Sequence, residues 1–149
     1  MISRVHFSGR RPLDSEPRRA LKELIAEVLD EHGATGTVSV VFVGDDEIRG
    51  LHRDYLGEDR ATDVITFPLE DEDNDQNGAP QVDDLVGEVV VSVDTARREA
   101  DRRGLPLERE LALYSLHGVL HLLGFDDKEP GARGRMRRAE KRYLERFEY

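Results

Sequence analysis

His117-Gly118-Val119-Leu120-His121-Leu122-Leu123-Gly124-Phe125-Asp126-Asp127 is the stretch around which the rest of this chain can be arranged. Leu113, Leu116, Leu120 and Leu123 recur at helical spacing, so the segment reads as a central, partly buried helix. Residues four apart share a helix face, which lets His117 and His121 aim both imidazoles at one ion. Gly124 ends that helix, because glycine accepts the left-handed backbone of a C-terminal cap. The chain then folds back and brings Asp126 or Asp127 round as a third ligand. A bare histidine pair at this spacing is a weak signal, since two hydrogen-bonded histidines on a buried helix would produce it too. The leucines add weight to the metal reading. Imidazoles among apolar neighbours are costly without a partner, and ligation supplies one.

Upstream, Pro106 opens the histidine helix, with Glu108 and Glu110 in its favourable first turn. Asp94 is expected to cap the preceding helix, which ends near Gly104. Leu85 to Val93 is nearly all β-branched and reads as a strand buried in the sheet. Residues 70–84 are acidic, without periodicity, and read as a loop. Thr62 to Phe67 reads as another strand, stopped by Pro68. Asp45 begins a short helix on which Ile48, Leu51 and Tyr55 share a face, and Thr37 to Val43 is a glycine-bounded strand. Ser15 offers an N-cap, with Pro17 in the first turn, for a helix carrying Leu21, Leu24, Ile25, Val28 and Leu29 and closed by Gly33. Arg4 to Ser8 completes the strands. Met136, Tyr143, Leu144 and Phe147 form the apolar stripe of a last helix. The expected fold is α+β: a single domain with a small mixed β-sheet of about four strands packed with about five helices, the metal site on a central helix.

Composition sets outer limits. The 149 residues suit one domain with one core. There is no cysteine, so any metal must be held by nitrogen and oxygen. Residues 1–11 lack a signal-peptide core and no apolar run approaches a membrane span, so a cytoplasmic protein with no membrane partner is expected. A net charge of −10 argues against a nonspecific nucleic-acid coat protein. The arginines nonetheless come in clumps, and Arg133 to Arg146 is locally basic.

Three segments together resemble the YbeY family of bacterial endoribonucleases and rRNA maturation factors. The histidine segment is similar to that family's H-G-x-L-H-L-x-G-Y-D-H hallmark. Residues 51–68, from Leu51-His52-Arg53-Asp54-Tyr55-Leu56 through Thr62-Asp63-Val64-Ile65-Thr66-Phe67-Pro68, follow its L-N-x-x-Y-R-x-x-D-x-x-T-D-V-L-S-F-P stretch. Gly87-Glu88-Val89-Val90 follows its G-D-I/L-V strand. The segments fall in the family's order, and the resemblance covers almost the whole chain, as a single YbeY-like metal-dependent hydrolase domain over residues 1–149.

That resemblance implies one metal, usually taken as zinc, held by three side chains with a fourth position open to water. It implies a single-strand-specific endoribonuclease that matures the 3′ end of 16S ribosomal RNA and serves ribosome quality control, with the small ribosomal subunit and assembly factors as partners. The chain departs from the pattern twice. Asp127 stands where the family has its third histidine, which makes His117, His121 and Asp127 the implied ligands. An anionic ligand also suits manganese or iron(II), with zinc first. Leu56 stands where the family has an arginine thought important for cleavage, and Arg53 and Arg60 are candidate substitutes for stabilising phosphoryl charge. The mechanism implied is metal-assisted hydrolysis by the ion's own water.

No glutamate follows His117, so the arrangement that gives a metalloprotease its general base is absent; Gly118 there suggests close packing or room for substrate. Glu88 is a candidate base from elsewhere in the fold. The alternative reading is a ribosome-assembly binding protein with a structural metal and little activity, for which Leu56 speaks. A metallopeptidase is disfavoured by Gly118, and an iron(II) oxygenase by the helical setting of the histidines.

Overall fold

Among the described residues, four strands and five helices succeed one another as β1 (Val5–Gly9), α1 (Ser15–Glu31), β2 (Thr37–Val43), α2 (Asp45–Leu56), β3 (Val64–Pro68), β4 (Leu85–Ser92), α3 (Val93–Arg103), α4 (Leu107–Leu122) and α5 (Pro130–Leu144). The computed structural model describes residues 4–56, 63–68, 85–125 and 128–149. The expected loop over 70–84 lies outside them. The sheet runs β1-β2-β4-β3, with β1 parallel to β2, β2 parallel to β4, and β3 antiparallel to β4 at the edge. It is mixed, as expected, and β4 is an interior strand, which explains its apolar run.

Strand alternation divides the core between the two faces of the sheet. Val38, Val40, Phe42, Val89 and Val91 point to one side and pack with α1, α3, α4 and α5. Val43, Ile65 and Val90 point to the other, where α2 covers them with Ile48 and Leu51. Leu21, Leu24, Ile25, Val28 and Leu29 of α1 are all buried, as their spacing predicts. Met136, Tyr143 and Phe147 are buried too, although Phe147 lies beyond the end of α5.

Several boundaries differ from expectation, each for a local reason. Ser92, not Asp94, caps α3: its Oγ accepts from Thr95 N–H at 3.1 Å. Asp94 instead accepts from Asp45 N–H at 2.8 Å, tying the start of α3 to the start of α2. Asp14 occupies the N-cap of α1 and Ser15 is its first helical residue. Pro68 ends β3 rather than following it, tolerated because β3 is an edge strand. Tyr55 keeps to the face of Ile48 and Leu51, its ring meeting Phe67 edge-on at 5.4 Å between centroids, but it is 68% exposed near the end of the helix.

α4 lies on β4 by way of a glycine on each partner. A Cβ on Gly118 would stand 2.4 Å from Val89 Cγ1, and one on Gly87 would stand 2.6 Å from Leu122 Cδ2. Four helical residues rise about 6 Å and two strand residues about 6.8 Å, so Gly118 meeting Val89 and Leu122 meeting Gly87 are one register. The helix therefore runs antiparallel to β4 and as close to it as backbone allows. Gly118 is there for close packing. No described helix is long and apolar enough to cross a membrane.

Candidate metal centre

The register of α4 on β4 decides where the histidines go. His117 and His121 each precede a sheet-facing residue, which turns them about 100° round the helix from the sheet, towards its flank. Their ring centroids are 4.7 Å apart, with planes at 78°. Both are partly exposed on a helix whose other residues from Glu110 to Leu120 are mostly buried. The pair thus sits at a rim, held by a rigid core element.

α5 supplies what the sequence reading missed. Glu140 Oε2 is in hydrogen-bond contact with Nδ1 of His117, with the imidazole N–H donating. Glu140 is half-hidden at the seam between the two helices, its side chain 15% exposed. A carboxylate on one ring nitrogen fixes the tautomer, orients the ring and makes its other nitrogen a better ligand, the arrangement found behind metal-binding histidines. Twenty-three residues separate the two positions, so no local spacing could have linked them. The available signal was that α5 carries six cationic side chains and one carboxylate, Glu140.

The exit from α4 is equally determined. Gly124 N–H donates to His121 O at 3.0 Å and Phe125 N–H to Leu120 O at 3.0 Å, with Gly124 at φ +102°. This is a Schellman termination, and Gly124 fills the left-handed position as its sequence predicts. Phe125 then packs edge-on against His32, which follows α1, at 5.4 Å between centroids. The chain leaves α4 from an anchored point at Phe125. Asp126 and Asp127, the residues expected to complete the site, lie outside the described residues. Among the described residues no group of three His, Cys, Asp or Glu side chains could hold a metal ion. The donor set of two imidazoles, one backed by a carboxylate, still fits a nitrogen- and oxygen-ligated divalent ion.

Glu110 and Tyr114 continue the histidine row towards the start of α4; all four side chains fall within an arc of about 60°. Glu110 is buried and accepts from Arg103 Nη1 at 3.2 Å. Burial first, and then the nearby Glu110 carboxylate, push the Tyr114 phenol far above its ordinary range. Tyr114 is therefore a neutral phenol at any physiological pH, a donor and not a nucleophile.

Two other candidates, Glu88 and Arg53, are not brought to this rim. Glu88 alternates with Val89 on β4 and so falls on the sheet face covered by α2, opposite α4. Arg53 is exposed on α2, with its Nε donating to Asp54 at 3.3 Å. The side chain of Leu56 and the whole of Arg60 lie outside the described residues.

A cavity of about 320 Å³ opens beside His117, lined also by Arg133, Met136, Arg137 and Glu140. It joins the histidine row to the basic face of α5.

Comparison with known proteins agrees on one family. The family model described as Endoribonuclease YbeY matches residues 9–148. A protein named Endoribonuclease YbeY from Pelotomaculum thermopropionicum is 37% identical over 144 residues, covering 95% of this chain and 93% of the relative. One of the same name from Thermus thermophilus is 38% identical over 136 residues, covering 91% and 93%. The solution structure of TM1509 from Thermotoga maritima superposes with a TM-score of 0.69 at 30% identity, covering 96% of this chain and 88% of that one.

Proposed function

The chain belongs to the YbeY family of endoribonucleases, and on that premise we propose that it cuts single-stranded RNA with one divalent ion held by His117, His121 and Asp127. Its substrate in the cell is the 3′ end of 16S ribosomal RNA, met on the small ribosomal subunit in the cytoplasm. Zinc is the first choice of ion; manganese or iron(II) would also suit a carboxylate ligand.

The observation that carries the reading is the His117–His121 pair at 4.7 Å with Glu140 behind His117. Glu140 holds the His117 ring in one tautomer, so that Nε2 is the nitrogen offered to an ion. Gly118 and Gly87 keep α4 against β4 and fix where both imidazoles stand. The Gly124 turn ends the helix three residues before Asp127 in the sequence. A divalent ion there supplies a Lewis acid for the phosphoryl oxygen and a lowered pKa for water. The Asp127 carboxylate leaves that ion less positive than a third imidazole would.

Cleavage of an end-labelled single-stranded RNA by the purified protein tests this directly. His117→Ala and His121→Ala should each abolish cutting while the circular dichroism spectrum keeps its helical content. Cutting that persists in both variants comes from a contaminant and would sink the reading. A wild-type protein that binds RNA tightly but never cuts it would favour the assembly-factor alternative, for which Leu56 is the specific sign.

A further inference from the structure

We propose that Arg137, with Arg133 one helical turn before it, grips a phosphate of the RNA next to His117. The proposal rests on the endoribonuclease reading and deepens it by naming how the backbone of the substrate is held.

Three observations converge on α5. The first is position: Arg133 and Arg137 line the same cavity as His117, so a group held by the guanidiniums stands beside the imidazole row. Residues four apart on a helix lie on one side, which lets both side chains address one anion. Met136 is 1% exposed and gives that cavity an apolar wall, against which an arginine–phosphate pair is less screened than in open water.

The second is charge. The chain is at −10 overall, so an RNA must approach through a locally positive face. α5 carries Arg133, Arg135, Arg137, Arg138, Lys141 and Arg142. Its sole carboxylate, Glu140, is turned to His117 Nδ1. Glu140 lines the same cavity and keeps its charge, but Arg133 and Arg137 outnumber it there.

The third is partnership. Several arginines of this protein are tied up in ion pairs, such as Arg98 with Asp45 at 2.6 Å and Arg146 with Glu31 at 2.7 Å. Among the described residues no carboxylate pairs with Arg137, which is exposed and lines a second groove where Arg109 and Lys141 stand with Glu140 and Glu145. A guanidinium offers paired N–H donors that match two phosphate oxygens, which a lysine cannot reproduce. RNA is favoured over an acidic peptide because the same cavity contains His117.

Single-turnover cleavage of an end-labelled, unstructured RNA by the metal-loaded protein tests the clamp, with binding of the same RNA to the chelator-treated protein read by anisotropy. Arg137→Ala should lower kcat/KM by roughly 10- to 100-fold, and Arg137→Lys should recover only part of it. The log–log salt slope of binding should shrink by about 0.7, one phosphate contact on a single strand. Arg138→Ala, on the same helix but outside the cavity, should change cleavage no more than about twofold. Unchanged cleavage by Arg137→Ala, or an equal loss in Arg137→Ala and Arg138→Ala, overturns the clamp and leaves the endoribonuclease reading standing. A wild-type protein that cuts no RNA overturns that reading instead. Binding then decides the clamp: equal affinities for wild type and Arg137→Ala reject it.

Discussion

α4 and α5 meet at His117 and Glu140, but they are built on opposite terms. α4 is buried over most of its surface and pressed onto β4 through Gly118 and Gly87. α5 buries Met136, Ala139 and Tyr143 and turns a dense row of arginines outward. Packing positions the first helix; charge characterises the second. A metal site needs donors held within a fraction of an ångström, which a close-packed helix provides. An RNA backbone needs a tolerant positive face, which long exposed side chains provide. The proposed site lies where rigidity and charge adjoin, and one hydrogen bond, His117 to Glu140, joins the two helices.

The harshest way to break the comparison is from the α4 side. His117→Ala or His121→Ala should reduce cleavage on the order of 10³-fold or more, with little change in melting temperature of the metal-free protein. Severing the link comes next. Glu140→Ala should weaken metal binding by roughly 10- to 100-fold, read by competition with a chelator, while α5 stays folded. An unaltered affinity would mean that the carboxylate has no role in holding the ring.

Gly118→Ala attacks the packing itself. Val89 is a stiff, fully buried side chain and cannot yield 1 Å cheaply, so the substitution should cost about 1–3 kcal/mol. At roughly 2–4 °C per kcal/mol, differential scanning calorimetry would register it, and metal affinity should fall with it as the helix lifts. Arg135→Ala, at an exposed position of α5, should do neither.

The smallest effect is expected across the sheet from the site. Asp45 accepts from Ser92 Oγ at 2.9 Å, Thr95 Oγ1 at 3.1 Å and Arg98 Nη1 at 2.6 Å. The Arg98 hydrogen bond above all holds its carboxyl below the ordinary aspartate value of 3.8. A lowered folded-state pKa means that the unfolded chain binds the proton first. The stabilisation is therefore full above 3.8 and is lost as pH falls through the lowered value. Asp45→Asn should cost about 1 kcal/mol near neutrality, and urea midpoints of variant and wild type should converge in acid. Metal affinity should not change.

What the sequence made legible follows the same division. Apolar periodicity marked α1, β2, β4 and α4, because burial selects side chains at fixed spacing. Gly124 announced its turn, since a left-handed residue has few alternatives. Caps were less legible: Ser92 and Asp94 are both good N-cap residues, and the choice fell to Asp94's bond with Asp45, forty-nine residues away. Glu140 and Arg137 were illegible as site residues for the same cause. Their roles arise from helix–helix packing, and nothing in the local pattern of α5 distinguishes them from solvated charge. Glu88 was legible as a charge in a strand, but which face it took needed the register.

The central claim is that His117, His121 and Asp127 hold one divalent ion. Elemental analysis of the purified, dialysed protein and of His117→Ala, His121→Ala and Asp127→Ala tests it most directly. One divalent ion per wild-type chain, depleted in all three variants, is the predicted result. Full occupancy in Asp127→Ala, or a wild type that takes up no ion even when reconstituted with zinc, would contradict it.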